Sequence, residues 1–558
     1  MTDDVLLEVR AELTGPGGLF EITTEDVRGR PMEVFANRKR SLREYVEAAA
    51  AHGGAEHLVL GTQRITFATF TDQVAAVGAA LREHYGVGPG DRVAIFSANR
   101  PEWAIAYWAT VSLGGVVAAL NGWWTTDEVT FGVEMSEPKV LFGDTRRLAR
   151  LGPQPDEVTV VDLETEFGPL RSHAHAGLPD QPIDEDDPAT LLFTSGTTGR
   201  PKGALISHRG LIGFVDGMVY NGAENAFVAA RRGEADLGAP RPQMVTLATS
   251  PMFHVSGLFA GVIMGLALGA KLVLREGRFD PVDVLRLIEE EKITSWSAMG
   301  SMGPRVLACP DLEYRDTASV TNIGFGGAPV SDELRARLRE AFPASTGNQG
   351  MGYGSSESVA VITSIGGQDF LDHPDSCGRV NRTFELQIRD EDGHEVADGV
   401  EGLIHVRSPY TMLGYWKNDE ATAETVDADG WLNMGDVGRV EDGWLIINSR
   451  ARDMILRAAE NIYPVEIEHR LDAHPDVSES AVLGVDHPEL GQEIKAIVVP
   501  SGPRFDPEAL AAWVGEALSA HKVPSIWERR AEPLPRNAAG KVVKGVLTGD
   551  QQLGQVEE

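Results

Sequence analysis

Between about residue 92 and residue 341 the chain repeats one pattern. A short β-branched or apolar run is followed by a longer stretch of helical character. The runs fall at residues 93–96, 140–142, 158–161, 191–194, 244–248 and 272–274, and helical segments are expected at 103–120, 282–291 and 332–341. Helices between successive strands let each strand return in the same direction, so the pattern dictates an α/β fold with largely parallel sheet.

Beyond about Gly378 the pattern changes. Strand-like pieces follow one another with Asp-Gly turns at 392–393, 429–430 and 442–443, which reads as an antiparallel β region closing the large domain. A charged segment at 449–453 then precedes an amphipathic helix near Pro464. The 558 residues exceed what one hydrophobic core usually serves, and the division is expected there: a large domain of residues 1–450, doubly wound with mainly parallel sheets, and a small α+β domain of residues 451–558. Residues 224–243, rich in Ala, Arg, Gly and Pro, read as a surface insertion. The longest apolar stretch, 257–270, is shorter than a membrane span and ends at Lys271, so a buried core helix is expected and no transmembrane segment.

Charge narrows the function classes. With 83 acidic against 50 basic residues the formal net charge is −33, which repels nucleic acid and anionic membrane and makes a nucleic-acid partner unexpected. A polyanionic ligand would need its bases locally concentrated. The two cysteines, Cys309 and Cys377, are far apart and outside metal-ligand spacing, which excludes a disulfide framework and a cysteine zinc site. Together with an acidic start that lacks a basic segment before an apolar run, this suits a cytoplasmic protein.

The chemistry concentrates at Thr194-Ser195-Gly196-Thr197-Thr198-Gly199-Arg200-Pro201-Lys202-Gly203, directly after the apolar run at 191–193. Glycines let successive N–H groups converge, hydroxyls add donors, and Lys202 and Arg200 add positive charge, a combination that suits oligophosphate. A Walker loop would need Gly-Lys-Ser/Thr, whereas Lys202 here follows Pro201 and precedes Gly203. No serine has the Gly-x-Ser-x-Gly setting of a hydrolase elbow.

This loop resembles the core motif of the adenylate-forming superfamily of acyl-CoA synthetases, adenylation domains and luciferases, and further motifs follow in family order between about Leu42 and Lys544. Gly327-Ala328-Pro329 resembles the turn beside the adenine ring. Gly352-Tyr353-Gly354-Ser355-Ser356-Glu357 resembles Tyr-Gly-x-Thr-Glu; the resemblance implies that Tyr353 stacks on adenine, Ser356 keeps a hydroxyl near the α-phosphate, and Glu357 helps hold Mg²⁺. Asp436, in Trp431-Leu432-Asn433-Met434-Gly435-Asp436, matches the acid that accepts the ribose hydroxyls, with Met434 where the family has Thr. Arg450 matches its ribose partner, and Arg452 the hinge of a mobile C-terminal domain. With Arg457 these form the local basic concentration that the net charge demands. The loop lining the thiol's tunnel carries Ala459, where the family usually has Gly, followed by Glu460. Lys541, in Pro535-Arg536-Asn537-Ala538-Ala539-Gly540-Lys541, matches the lysine that reaches the carboxylate and α-phosphate, for which a point charge on a long stem is suited.

The same resemblance places His254 at the border of the acyl pocket and Trp296, Met299 and Gly300 along its wall; a buried structural histidine is the rival reading of His254. The implied activity is ATP-dependent conversion of a carboxylic acid, fatty or otherwise lipophilic, to acyl-AMP with release of pyrophosphate, then transfer to coenzyme A. ATP, Mg²⁺, CoA and a small-molecule acid are the implied ligands, and a homodimer is a permitted assembly. Two readings stay open beside it: an adenylating enzyme that loads a carrier protein or stops at acyl-AMP, and a silent relative that only binds.

Overall fold

A computed structural model describes residues 2–154, 157–194, 201–326, 330–450, 453–457, 460–487, 491–537 and 540–549. The loop residues Ser195, Gly196, Thr197, Thr198 and Gly199, the turn Gly327–Pro329, the hinge residue Arg452 and Ala459 lie outside the described residues.

Among the described residues two large sheets dominate. In a seven-stranded sheet, Arg92–Phe96, Val116–Ala119, Val140–Gly143, Thr159–Asp162 and Pro188–Thr194 run parallel, and Lys202–Ser207 and Gly414–Tyr415 add antiparallel at one edge. A thirteen-stranded sheet has a parallel centre of Glu56–Leu60, Lys271–Leu274, Val245–Ala248, Ser295–Ser297, Asn322–Gly326 and Gln349–Ser355. Antiparallel strands continue it from Ala360–Gly366 to Leu432–Glu441 and Trp444–Arg450, so the expected antiparallel region extends the second sheet. The Asp442-Gly443 turn joins the last two, with both residues at positive φ as a tight hairpin requires.

The helix Pro101–Ser112 lies between the sheets and every one of its residues is buried, with Trp103, Tyr107 and Trp108 sharing a core with Val93 and Val117 of one sheet and Leu272 and Leu274 of the other. Its Pro101 starts the first turn. The helix expected over 103–120 stops at Ser112, because Gly114, at φ +72°, and Gly115 turn the chain into the strand Val116–Ala119. The surface insertion expected at 224–243 is exposed over residues 231–243, but its start belongs to the helix His208–Arg231, where buried Glu224 pairs with Arg10 of the N-terminal helix Thr2–Thr14 at 2.8 Å. The apolar stripe continues through Phe227 and Val228 onto that helix. The stretch at 257–270 is helical and largely buried, and includes a wider π turn over Leu258–Ile263.

The C-terminal part is the expected α+β unit. Val477–His487 and Gly491–Pro500 pair antiparallel, and the helices Pro464–Asp472 and Pro507–Ala517 bury Ile467, Leu471, Leu510 and Val514 against them. Among the described residues no helix is long and apolar enough to cross a membrane.

Candidate active site

A cleft of about 4300 Å³ runs between the large body and the C-terminal part. On its wall the ends of the phosphate-loop segment meet: Thr194 and Lys202 are register partners on adjacent antiparallel strands, and the Thr194 hydroxyl donates to the Lys202 carbonyl at 3.4 Å.

Lys202 Nζ lies 5.0 Å from the centre of the Tyr415 ring, and the Tyr415 hydroxyl donates to Glu357 Oε1 at 2.9 Å. Burial and the neighbouring Glu357 carboxylate push the Tyr415 phenol up, so it stays a neutral donor at neutral pH. One tyrosine thus links the phosphate-loop lysine to the acid expected at the metal. Sequence reasoning missed it. The available signal was Gly414-Tyr415-Trp416, whose importance appears only when Gly414–Tyr415 pairs with Ala204 and Leu205.

Glu357 sits in a turn closed by reciprocal bonds: the Ser355 amide donates to Ser358 Oγ at 2.9 Å and the Ser358 amide to Ser355 Oγ at 3.2 Å. The Met412 amide holds the Glu357 carbonyl at 2.8 Å. Val359 leaves the turn at φ +56° while fully buried, a conformation that strains a β-branched residue and persists only because its surroundings fix it.

Gly352, Gly354, Ser355, Ser356 and Glu357 line the cleft; Tyr353, on the other face of its strand, is not among the described lining residues. Its hydroxyl donates to Oδ2 of buried Asp436 at 2.6 Å, so the residues expected at adenine and ribose are tied to each other. The Arg450 backbone is the register partner of Asp436 on the adjoining strand. Glu460 is described as backbone only, in the strand Glu460–Ile462.

At the other end Lys541 and His254 share the cleft although they come from opposite parts of the chain. His254 Nδ1 faces the Ser256 hydroxyl at 3.2 Å and the Ser256 amide at 3.5 Å at the start of a helical turn. Accepting from that amide leaves Nε2 with the proton. Burial and the positive charge of Lys541 lower the imidazole to about 4, so it is neutral at neutral pH. Lys541 is brought in by a close backbone approach: a Cβ on Gly300, at φ +53°, would stand 2.7 Å from the Gly540 carbonyl oxygen.

Of the residues expected along the acyl wall, Met299 and Gly300 line the cleft and Trp296 does not. Strand alternation turns Ser295 and Ser297 to the cleft and sends Trp296 into the core behind, against Phe342. Phe214 and Phe259, with ring centres 5.4 Å apart, add the aromatic surface that Trp296 was expected to provide.

Glu357 is a carboxylate whose one oxygen is occupied by a phenol on a wall carrying further hydroxyls, an oxygen-rich setting that suits a hard divalent cation. A phosphate-loop segment, such an acid, a buried aspartate bonded to a tyrosine, and a lysine delivered by a second domain define an adenylate-forming enzyme of the acyl-CoA synthetase branch. The AMP-binding enzyme family model matches residues 45–416 and the AMP-binding enzyme C-terminal domain model residues 466–541; the chain belongs to this family. It is similar to a feruloyl-CoA synthase of an Amycolatopsis species, 32% identical over 499 residues, covering 89% of this chain and 94% of the relative. It is 30% identical to the 2-succinylbenzoate–CoA ligase of Bacillus licheniformis, over 88% of this chain and 96% of the relative. A solved o-succinylbenzoate CoA synthetase from Bacillus subtilis, in complex with its acyl-adenylate intermediate, superposes with a TM-score of 0.75 at 27% identity, covering 93% of this chain and 100% of that one.

Proposed function

We propose that this enzyme is an AMP-forming acid–CoA ligase acting in the cytoplasm on a compact, ring-bearing lipophilic acid. The observation that carries the reading is the meeting of Lys541, His254, Glu357 and Lys202 on one cleft, drawn from both matched domains. The compact acid is supported by the pocket wall. Along the helix His208–Arg231 the cleft-lining residues are apolar at Phe214 and Met218 and polar at Asn221, which favours a short apolar body over a long one. The relatives named for feruloyl and succinylbenzoyl substrates are consistent with a ring.

In this reading residues 1–450 bind ATP and the acid, and residues 451–558 swing about Arg452. Thr194 to Gly199 and Lys202 hold the phosphates. Gly327–Pro329 and the cleft-facing Gly352 and Gly354 flank adenine, and Asp436, oriented by Tyr353 behind it, holds the ribose with Arg450. Glu357 would hold Mg²⁺, which would lower the charge that the acid must approach. A carboxylate oxygen attacks the α-phosphorus and pyrophosphate leaves. The charge passing through this step is met by Lys541, the Ser356 hydroxyl and the Nε2–H of neutral His254, groups already oriented before reaction. The CoA thiol, entering past Ala459 and Glu460, then attacks the acyl carbonyl and AMP leaves.

The test is AMP release from ATP, Mg²⁺ and CoA across a panel of ring-bearing and straight-chain acids. Faster turnover of the ring-bearing acids is expected. A preference for long straight chains would refute the compact-acid reading, and acyl-AMP accumulating without thioester would refute CoA as acceptor.

A further inference from the structure

Two elements run past the Glu357 turn, and each presents an apolar and then a polar residue to the cleft. The helix His208–Arg231 passes Val359 at Gly210, whose Cβ would lie 3.5 Å from a Val359 methyl. It then presents Phe214 and Met218 to the cleft, and next Asn221. The strand Ala360–Gly366 presents Val361 and then Ser364. These last two share a face only because the register slips between Tyr353 and Gly354: Tyr353 pairs with Thr363 but Gly354 with Val361, leaving Ile362 as an extra buried residue. Such a bulge re-aims the residue beside it.

Phe214 to Asn221 spans about 10 Å at the helical rise per residue. Val361 to Ser364 spans about 7 Å, two strand steps, because the bulged Ile362 adds none. At the polar residues the elements are joined: the Asn221 amide donates to Ser364 Oγ and to Asn381 Oδ1, each at 3.0 Å, and Ser364 Oγ donates to Asn381 at 2.8 Å. Beside them Arg382 lines the cleft with its Nε buried and without a hydrogen-bond partner, and no described residue makes an ion pair with it. Glu224, which also lines the cleft, is already engaged by Arg10 and by the Tyr220 hydroxyl. A buried guanidinium donor left unpaired is costly unless a ligand oxygen completes it.

We propose that the far end of the acyl pocket is a hydrogen-bonding subsite, in which Arg382, positioned beside the Asn221–Ser364–Asn381 network, donates to an oxo or similar acceptor oxygen at the end of the acid remote from its carboxylate. The proposal rests on the ligase reading above and narrows its substrate class: a compact ring acid with an acceptor oxygen on the side of the ring remote from its carboxylate.

The isosteric pair 3-(4-oxocyclohexyl)propanoate and 3-cyclohexylpropanoate tests it, with wild type and Arg382→Met, in AMP release with ATP, Mg²⁺ and CoA. Methionine keeps an apolar stem and removes the donors. Wild type is expected to favour the oxo acid by roughly 10- to 100-fold in kcat/KM, the range for a hydrogen bond to a charged group. In Arg382→Met that ratio should fall to near one, with the hydrocarbon acid turned over at least as well as before. Because the readout is a ratio within one variant, a general loss of stability does not move it. A wild-type ratio near one or below, a preference that survives in Arg382→Met, or turnover of other ring acids but of neither member of this pair overturns the subsite. No AMP release with any acid overturns the ligase reading itself.

Discussion

Replacing Gly300 by Ala should undock the loop that carries Lys541 while leaving the large domain folded. Gly300 lies at φ +53° and faces Gly540, at φ +77°; the added methyl would stand 2.7 Å from the Gly540 oxygen and 3.2 Å from its carbonyl carbon. That carbonyl cannot easily yield. It accepts from Arg536 Nη1 at 2.8 Å, and Arg536 is anchored by Glu479 of the strand Val477–His487, also at 2.8 Å. A left-handed backbone costs a non-glycine residue about 1 kcal/mol, and forcing a methyl against fixed atoms costs about 1–3 kcal/mol more. The docked arrangement should therefore lose about 2–4 kcal/mol, a fall of roughly 30-fold or more in its population. Acid-dependent ATP–pyrophosphate exchange reads this directly and should fall by a similar factor. Lys541→Ala should lose exchange as well, and Gly300→Ala combined with Lys541→Ala should be no worse than Lys541→Ala alone, as expected of groups that act as a unit. Exchange within twofold of wild type in Gly300→Ala, or losses that multiply in the double variant, would refute the claim that this approach positions the lysine.

Other expectations follow from the same geometry. Tyr415→Phe keeps the ring over Lys202 but removes the bond to Glu357, and should lower kcat/KM for ATP by roughly 10-fold with a raised Mg²⁺ requirement, from a hydrogen bond to a charged group worth about 1.5–3 kcal/mol; a Mg²⁺ titration that matches wild type would count against the link. His254, at about 4, should stay neutral through neutral pH and add no inflection to exchange rates between pH 5 and 8. Its folded value lies below the ordinary 6.5, so the unfolded chain binds the extra proton, and its contribution to stability is full above pH 6.5 and declines as pH falls towards 4. In Lys541→Ala, labelled-histidine NMR should show His254 titrating higher yet still below 6.5, since burial is the larger cause. Val359→Gly should relieve about 1 kcal/mol of backbone strain but lose about 1.5–3 kcal/mol of buried side chain, giving a lower melting temperature and a weaker response to Mg²⁺.

Sequence made legible whatever depends on neighbours along the chain, and hid what depends on partners across it. The helix Asp332–Ala341 falls on the expected residues because its signals are local: Ser331 caps it by accepting from the Leu334 amide. The Asp442-Gly443 hairpin was equally plain. Trp296 was misplaced because the reading took proximity in sequence to Met299 and Gly300 for proximity in the pocket, whereas the strand's two-residue period sends it to the opposite face. Tyr415 was invisible for a different reason. Its bond to Glu357 and its place over Lys202 depend on a two-residue strand, Gly414–Tyr415, that exists only by pairing with Lys202–Ser207. The bulge at Ile362 is the deepest case. It inserts one residue into a strand whose composition is unremarkable for a strand, yet it decides whether Val361 faces the cleft or the core. The motifs matched to ATP are contiguous, so the expectations for them could be written residue by residue. The wall proposed to take the acid is assembled from a helix, a bulged strand and a loop far apart in sequence, and it becomes readable only when Asn221, Ser364 and Asn381 are seen bonded to one another.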